Sequence, residues 1–374
     1  MTFGPLHGEA GRVDVAAAAG GYPVVVGSGL LDEIPRVADA VAPGRRLAVI
    51  SDATVLPLHG ARVAEGLRAA GREVATFDFP AGEASKTRRS WSVLTDRMLE
   101  AGFGRDSCVV AVGGGVTTDL AGFVAATFLR GVPVLQVPTS TLAMVDASVG
   151  GKTGVDVRAG KNLVGAFHPP AAVVADVQTL ETLPRSERAQ GLVEAVKHGA
   201  ILDERHFDTV GARLEAVLAG DAEASADVVL ASVRLKAGVV ARDEFEGGLR
   251  QILNFGHTVG HALEAASAYA LGHGSAVAAG MLAESRIGER MGVTAQGTTE
   301  RLASVLRRVV GDVEPSGTAE SARSYLSSDK KARGGQARYV LLERIGKAAG
   351  EGGWSHSVPD PLVDDVLASL YFRP

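Results

Sequence analysis

The stretch Val109–Ala121 reads VVAVGGGVTTDLA: small and β-branched residues run into glycines at Gly113–Gly115, and apolar-helical spacing resumes at Val116. Such an apolar run ending on glycine predicts a buried strand, and the spacing beyond it predicts a helix over Val116–Leu129. Glycine here has two readings. It either supplies φ > 0 for a strand-to-helix turn, or it lets a ligand approach the backbone, where the first helical N–H groups and the helix dipole would hold a phosphate such as a dinucleotide pyrophosphate. The run is not the GxGxxG fingerprint, because Thr118 takes the place of the last glycine, and on these residues alone both readings stay open.

Outward from this turn the same alternation repeats. Tyr22–Val26, Leu47–Ile50, Glu73–Phe79, Cys108–Val112 and Val132–Val137 read as strands, with helices at Ala61–Ala70 and Arg88–Ala101 between them. Strands alternating with helices predict an α/β domain around a mostly parallel sheet. From about Pro184 the strand signal fades, and helical patterns follow one another at Glu187–Ile201, Ala224–Ala241, Leu249–Ala266 and Ser275–Met291. A chain of 374 residues exceeds the size at which one core keeps growing. We therefore expect an α/β domain over residues 1–178 and an all-α domain over 179–374. Gly311–Gly317, containing Pro315, reads as a loop, and no internal repeat is evident.

A net charge of -5 without a long Lys/Arg run offers no footprint for nucleic acid. The opening residues lack a basic segment leading into a continuous apolar one, and no later window has the roughly 18 uninterrupted apolar residues of a membrane span. Neither export nor membrane insertion is expected. Cys108, the only cysteine, cannot form an internal disulfide and reads as a small buried hydrophobe, which fits a reducing cytoplasm.

His257 and His261 are four apart and share one helix face, and His273 follows in a glycine-flanked segment. Such a set suits a metal or proton-transfer site, or alternatively hydrogen-bonded helix packing. Thr258 stands where HExxH would carry its general-base Glu, so peptide hydrolysis by that motif is disfavoured. A third ligand would most naturally be a carboxylate, and Glu194 sits on an otherwise apolar helix face where an unpaired carboxylate would be costly. Lys152 and Lys161 lie beside glycines that leave room for a phosphate or carboxylate. Asp146 occupies the position where a P-loop needs its first glycine, which argues against nucleotide-triphosphate hydrolysis. Lys197, Lys236, Arg250 and the Asp329-Lys330-Lys331 run add further cations, each of which alone reads as a solvated charge.

Taken together, GGGVTTDLAGFVAATFLRG from Gly113, QVPTSTLAMVDASVGGKTGV from Gln136, GKNLVGAFHPP from Gly160, GLVEAVKHG from Gly191 and GLRQILNFGHTVGHALE from Gly248 closely resemble the 3-dehydroquinate synthase family in order and spacing, over roughly Tyr22 to Gly346. The resemblance implies an N-terminal NAD-binding α/β domain, a helical metal- and substrate-binding domain, and a homodimer. It implies Glu194, His257 and His273 as ligands of a divalent metal, zinc or cobalt. Asp52, Glu83, Lys86, Gly114, Gly115, Val116, Asp119, Thr139, Ser140, Lys152, Lys161, Thr179 and Thr182 are implied to contact NAD. Lys152, Lys197, Lys236, Arg250, Asn254, His261, Asp146, Asn162 and Lys331 are implied to serve the substrate and its chemistry, with Arg130 reaching the neighbouring subunit's phosphate site. The sequence departs from the family's common residues at Ser275, where many relatives carry Glu, at Thr54, where Asn is common, and at Ser140, which replaces Thr but keeps a hydroxyl.

The implied reaction turns 3-deoxy-D-arabino-heptulosonate 7-phosphate, a phosphorylated sugar acid, into 3-dehydroquinate and phosphate, a step of the shikimate pathway. NAD is reduced and reoxidised around phosphate elimination, and an intramolecular aldol closure follows. Competing expectations are another sugar phosphate cyclase, a metal-dependent alcohol or glycerol dehydrogenase that would release NADH, and an NAD-binding sensor without turnover.

Overall fold

The computed structural model describes residues 3–18, 20–158, 160–332 and 337–371, with the backbone alone for 327–332. Its contacts divide the chain into two compact units, one comprising the residues up to Pro184 together with Ala219–Ala241, the other Arg185–Leu218 and the residues from Arg242 on.

The first unit is built on a seven-stranded sheet. Its strands are β1 (Glu9–Val15), β2 (Tyr22–Gly27), β3 (Arg46–Asp52), β4 (Val74–Phe79), β5 (Ser107–Gly113), β6 (Val134–Pro138) and, after the hairpin of β7 (Lys152–Val157) and β8 (Gly160–Phe167), β9 (Ala172–Asp176). The spatial order is β1-β2-β9-β6-β5-β3-β4, and every pairing is parallel except the edge pair β1–β2. Every residue of β5 is buried, as expected of a central parallel strand covered on both faces. Cys108, Val110 and Val112 enter the core on one face with α1 (Ile34–Val41) and α2 (Ala61–Ala69). Val109 and Ala111 enter the other with α3 (Arg88–Glu100) and α4 (Gly115–Thr127). The two-residue period of a strand thus divides one apolar run between two cores. The chain moves from β3 to β4 in one direction and from β5 to β6 in the other, so the carboxyl ends of the neighbours β3 and β5 flank the switch point where open α/β sheets bind ligands.

The second unit contains α5 (Arg185–Leu202), α6 (Glu204–Ala219), α8 (His257–Ala266), α9 (His273–Met291), α10 (Thr298–Val310), α11 (Ala319–Ala332) and α12 (Asp360–Tyr371). It also carries a two-stranded ribbon, β10 (Leu342–Arg344) with β11 (Lys347–Ala348), so this part is mainly rather than wholly helical. Val259, Leu263, Ala283, Ile287, Val363 and Leu367 belong to its core.

Three expectations need adjusting. The intervening helix α7 (Ala222–Arg242) packs almost entirely with the first unit, and the division falls at Pro184 rather than after residue 178. Helical periodicity locates an apolar face but does not say which core it joins. Leu249–Ala266 is not one helix: a 3-10 turn at Leu249–Asn254 is separated from α8 by Gly256, whose φ of 79° is left-handed. The helix after the glycine turn stops at Thr127, because Leu129 and Arg130 take positive φ of 50° and 74°.

Candidate metal and dinucleotide site

In the helical unit, Glu194 lies mid-α5, on a helix whose face from Gly191 to Ile201 is buried throughout, and its side chain is fully shielded. His257 is the first residue of α8 and His273 the first of α9. Glu194 Oε1 is 3.6 Å from His257 Nε2 and 3.6 Å from His273 Nε2. Two ligand atoms about 2.1 Å from a tetrahedral zinc stand about 3.4 Å apart. The donors therefore sit too far apart for strong hydrogen bonds and at the separation that an ion between them requires, and the set of one carboxylate and two imidazoles suits zinc or cobalt.

The surroundings reinforce this. Burial, and then the positive charge of Lys197, hold His257 well below the ordinary imidazole pKa, in the neutral form that ligates. Burial also works against charge on His273, but the facing carboxylates of Glu194 and Glu264 overcome it and raise this ring to about 9. His273 Nδ1 lies 3.4 Å from Glu264 Oε2, which leaves Nε2 facing Glu194. Lys197 Nζ pairs with Glu194 Oε2, both side chains being buried. The His261 ring stands edge-on to His257 with centroids 5.3 Å apart, and 6.2 Å from His273.

Backbone contact holds the two histidine-bearing helices at this spacing. A Cβ at Gly280 of α9 would lie 1.9 Å from the Gly256 carbonyl, and one at Gly260 of α8 would lie 3.0 Å from the Ala276 carbonyl. The carboxylate of Glu284, also on α9, accepts from the N–H groups of Gly256 at 2.8 Å and Val259 at 3.4 Å, capping the start of α8. Burial raises its pKa to about 8 despite those bonds.

In the α/β unit, Gly114 and Gly115 open α4 directly after β5, and the Gly114 N-cap has no side-chain capping bond. A Cβ on Gly114 would meet only Ser140, at 3.3 Å. The Thr139 N–H donates to the Gly113 carbonyl at 2.9 Å, which keeps the Thr139–Ser140 corner beside the glycine turn. Asp52 ends the neighbouring strand β3. Its carboxylate accepts from the N–H groups of Thr54 at 2.9 Å and Val55 at 3.0 Å and from Thr117 Oγ1 at 3.3 Å. Lys86 Nζ is 2.6 Å from Asp119 Oδ2 and 3.8 Å from Glu83 Oε1, and Lys161 Nζ is also 3.8 Å from Glu83. Burial opposes charge on Lys86, but Asp119 and Glu83 overcome it and raise its pKa. A glycine turn at a helix N-terminus, with Asp52 on the adjacent strand end, fits a dinucleotide's pyrophosphate and ribose.

Other expected residues divide as follows. Lys236 Nζ donates to Asp146 Oδ1 and to its carbonyl, each at 2.7 Å. Arg250 is almost fully buried: its N–H donates to Asp243 at 2.9 Å, and its guanidinium donates to the Glu244 carbonyl. Asn254 Nδ2 donates to Glu246 Oε1 at 2.9 Å. Thr179 donates to the Asp176 carbonyl at 2.7 Å, and Thr182 bonds His59 at 2.8 Å, so both hydroxyls have partners within the fold. Lys152 begins the β7–β8 hairpin and is exposed. Asn162, also in that hairpin, is exposed at φ 56°, with its N–H on Asp156 at 2.8 Å. Arg130 is exposed in its left-handed backbone. The side chains of Lys330 and Lys331 lie outside the described residues. Sequence reasoning passed over Glu264, Gln190 and Glu284. The available signal for Glu284 was a carboxylate interrupting the small-apolar run from Ala276, the same signal that singled out Glu194.

An α/β unit with a dinucleotide-type glycine turn, alongside a helical unit with a Glu/His/His cluster, defines a class of NAD- and metal-binding enzymes. Residues 76–190 match the 3-dehydroquinate synthase N-terminal family and residues 191–332 the 3-dehydroquinate synthase C-terminal family. The chain is 47% identical to the 3-dehydroquinate synthase of Symbiobacterium thermophilum over 87% of its own length and 92% of that protein. The chain belongs to the 3-dehydroquinate synthase family. Among solved structures it is similar to a 2-deoxy-scyllo-inosose synthase complexed with carbaglucose-6-phosphate, NAD+ and Co2+, with a TM-score of 0.89 at 27% identity, covering 96% of this chain and 100% of that one. It is also similar to the 2-epi-5-epi-valiolone synthase of Streptomyces hygroscopicus with NAD+ and Zn2+ bound, with a TM-score of 0.84 at 30% identity, covering 95% and 98%. Among the described residues no helix is long and apolar enough to cross a membrane.

Proposed function

We propose that this protein is a 3-dehydroquinate synthase, an NAD- and metal-dependent lyase of aromatic amino acid biosynthesis that converts 3-deoxy-D-arabino-heptulosonate 7-phosphate to 3-dehydroquinate and phosphate. The observation that carries this reading is the convergence of Glu194, His257 and His273, whose ligand atoms lie within 4.8 Å of one another, in a chain whose family membership is shown. When bound, NAD supplies a hydride acceptor and donor, and zinc or cobalt supplies a Lewis acid for the substrate's hydroxyl group.

The chain's own residues do the rest. Glu194, the neutral His257 and His273 would hold the ion, His273 giving up its Nε2 proton as it binds, with Glu264 orienting His273 through Nδ1. The buried ammonium of Lys197 and the buried Arg250 balance an anionic substrate where water screens little. Lys236, steadied by Asp146, Lys152, Asn254, Asn162 and Lys331 complete the proposed substrate set. His261 offers a ring nitrogen that can hold or pass a proton. Gly114, Gly115 and Val116 present the start of α4 to the dinucleotide, Asp52 its ribose-binding carboxylate, and the Glu83–Lys86–Asp119 group with Lys161, Thr139 and Ser140 the remaining polar contacts, Thr179 and Thr182 completing the proposed set. The strained, exposed Arg130 supports a homodimer in which this arginine serves the neighbouring subunit's phosphate site. The lone buried Cys108 supports a cytoplasmic setting.

The test is incubation of the metal-loaded protein with NAD and 3-deoxy-D-arabino-heptulosonate 7-phosphate, following phosphate, carbocycle and net NADH. Phosphate and 3-dehydroquinate in equal amounts without NADH accumulation is the expected result. Phosphate release from a different heptulose or hexose phosphate alone would keep the chemistry and replace the substrate, whereas stoichiometric NADH would point to a dehydrogenase.

A further inference from the structure

The N-cap of α9, Gly272, has no side chain with which to cap the helix that begins at the metal-ligand candidate His273. The unpaired N–H groups of that first turn need partners from elsewhere. Gln190 of α5 supplies one: its Oε1 accepts from the Ser275 N–H at 3.0 Å, while its Nε2 donates to Ser275 Oγ at 3.0 Å. A backbone N–H can only donate, so the first bond fixes which end of the amide faces it and makes Nε2 the donor of the second. The fit is close on both sides. A Cβ at Gly274 would lie 2.3 Å from the Gln190 carbonyl, and one at Gly272 would lie 2.8 Å from Gln190 Oε1.

Gln190 precedes Glu194 by one helical turn, on the same face of α5. Ser275 follows His273 by two residues within the first turn of α9. The two bonds therefore join the helix carrying the carboxylate ligand to the helix carrying an imidazole ligand, one turn from the metal site and without touching it. We propose that Gln190 is a positioning residue that fixes the Glu194–His273 separation by clasping Ser275. The proposal rests on the assignment of Glu194, His257 and His273 as metal ligands.

The test uses the full-length protein loaded with Co(II), whose visible absorption reports ligand geometry and whose affinity is read by competition with a chromophoric chelator. Gln190→Met keeps side-chain length but removes both bonds. It should bind Co(II) about 10- to 100-fold more weakly with an altered absorption envelope, the range seen for loss of outer-shell partners. Gln190→Glu, whose carboxylate can accept from both the Ser275 N–H and hydroxyl, should restore affinity and envelope. Should Gln190→Met prove unstable when metal-free, Ser275→Ala, which deletes one oxygen and spares the backbone bond, should show the same spectral change with a smaller affinity loss. Wild-type affinity and spectrum in Gln190→Met, or in Ser275→Ala where that variant is used, would overturn the clasp. Tight Co(II) binding that survives Glu194→Gln unchanged would instead refute the ligand assignment, and the proposal with it.

Discussion

Replacing Gly280 with alanine tests whether backbone contact between α8 and α9 sets the metal site. The added Cβ would sit 1.9 Å from the Gly256 carbonyl oxygen and 2.8 Å from the Gly260 nitrogen, two atoms already bonded to each other at 2.9 Å in the first turn of α8. An ordinary carbon–oxygen contact is about 3.3 Å, so the helices must part locally by about 1.4 Å. His257 begins one of these helices and His273 the other, and metal geometry tolerates about 0.2 Å. Overpacking of this kind costs about 1–3 kcal/mol, offset by about 1 kcal/mol from the better helix propensity of alanine. Because the clash is with backbone atoms, we expect Gly280→Ala to fall at the upper end of the net range, destabilised by up to about 2 kcal/mol when metal-free, and to lose about 100-fold in zinc affinity. Gly238→Ala in α7, where a Cβ meets nothing within 4 Å, is the control and should be neutral or slightly stabilising. Thermal unfolding of the metal-free proteins and competition with a chromophoric chelator read both quantities. Gly280→Ala that melts with the wild type and holds zinc as tightly would refute the idea that these glycines set the ligand spacing.

Glu194→Gln, which keeps volume but removes the buried charge beside Lys197, should lose more than about 100-fold in zinc affinity, measured by the same competition. Lys86→Met strands Asp119 and should cost about 3 kcal/mol with weakened NAD binding; adding Asp119→Asn should recover much of the stability in a double-mutant cycle by denaturant unfolding, and simple additivity would contradict a coupled pair. His206 is held down to about 4, first by burial and then by His198, against an ordinary 6.5. The unfolded chain therefore takes up this proton first as pH falls, so the stability due to neutral His206 is intact above about 6.5 and is lost progressively down to about 4, to a total of about 3 kcal/mol. Unfolding free energies of His206→Gln should lack this part of the slope. Burial pushes the Cys108 thiol up to about 12, so alkylation at pH 8 should proceed only as fast as the protein opens; rapid labelling of the native protein would contradict that burial.

Local sequence determined the sheet strands from Tyr22 to Val137, the turn at Gly113–Gly115 and the candidate ligands Glu194, His257 and His273, because each leaves a mark within a few residues: strand period, glycine at a backbone restriction, or a carboxylate or imidazole on an apolar helix face. The site roles came from motif order rather than from any single spacing, since His257 and His261 look alike along one helix face. The resemblance gave them different roles, and the tertiary structure supplies the physical difference, because their neighbours are brought in by α5 and α9: His257 stands 3.6 Å from Glu194, while His261 is exposed and meets the cluster ring to ring. The break at Gly256 belongs to the same category, as helical periodicity continues across it, and only the folded chain shows its φ of 79° and the approach of Met281 and Val277 that leaves no room for a Cβ. The placement of α7, the Glu264 and Glu284 contacts and the Gln190–Ser275 clasp likewise join residues distant in the chain. Sequence periodicity records which face of a helix is apolar; which partner that face meets, and at what distance, is set by the packing of the whole chain.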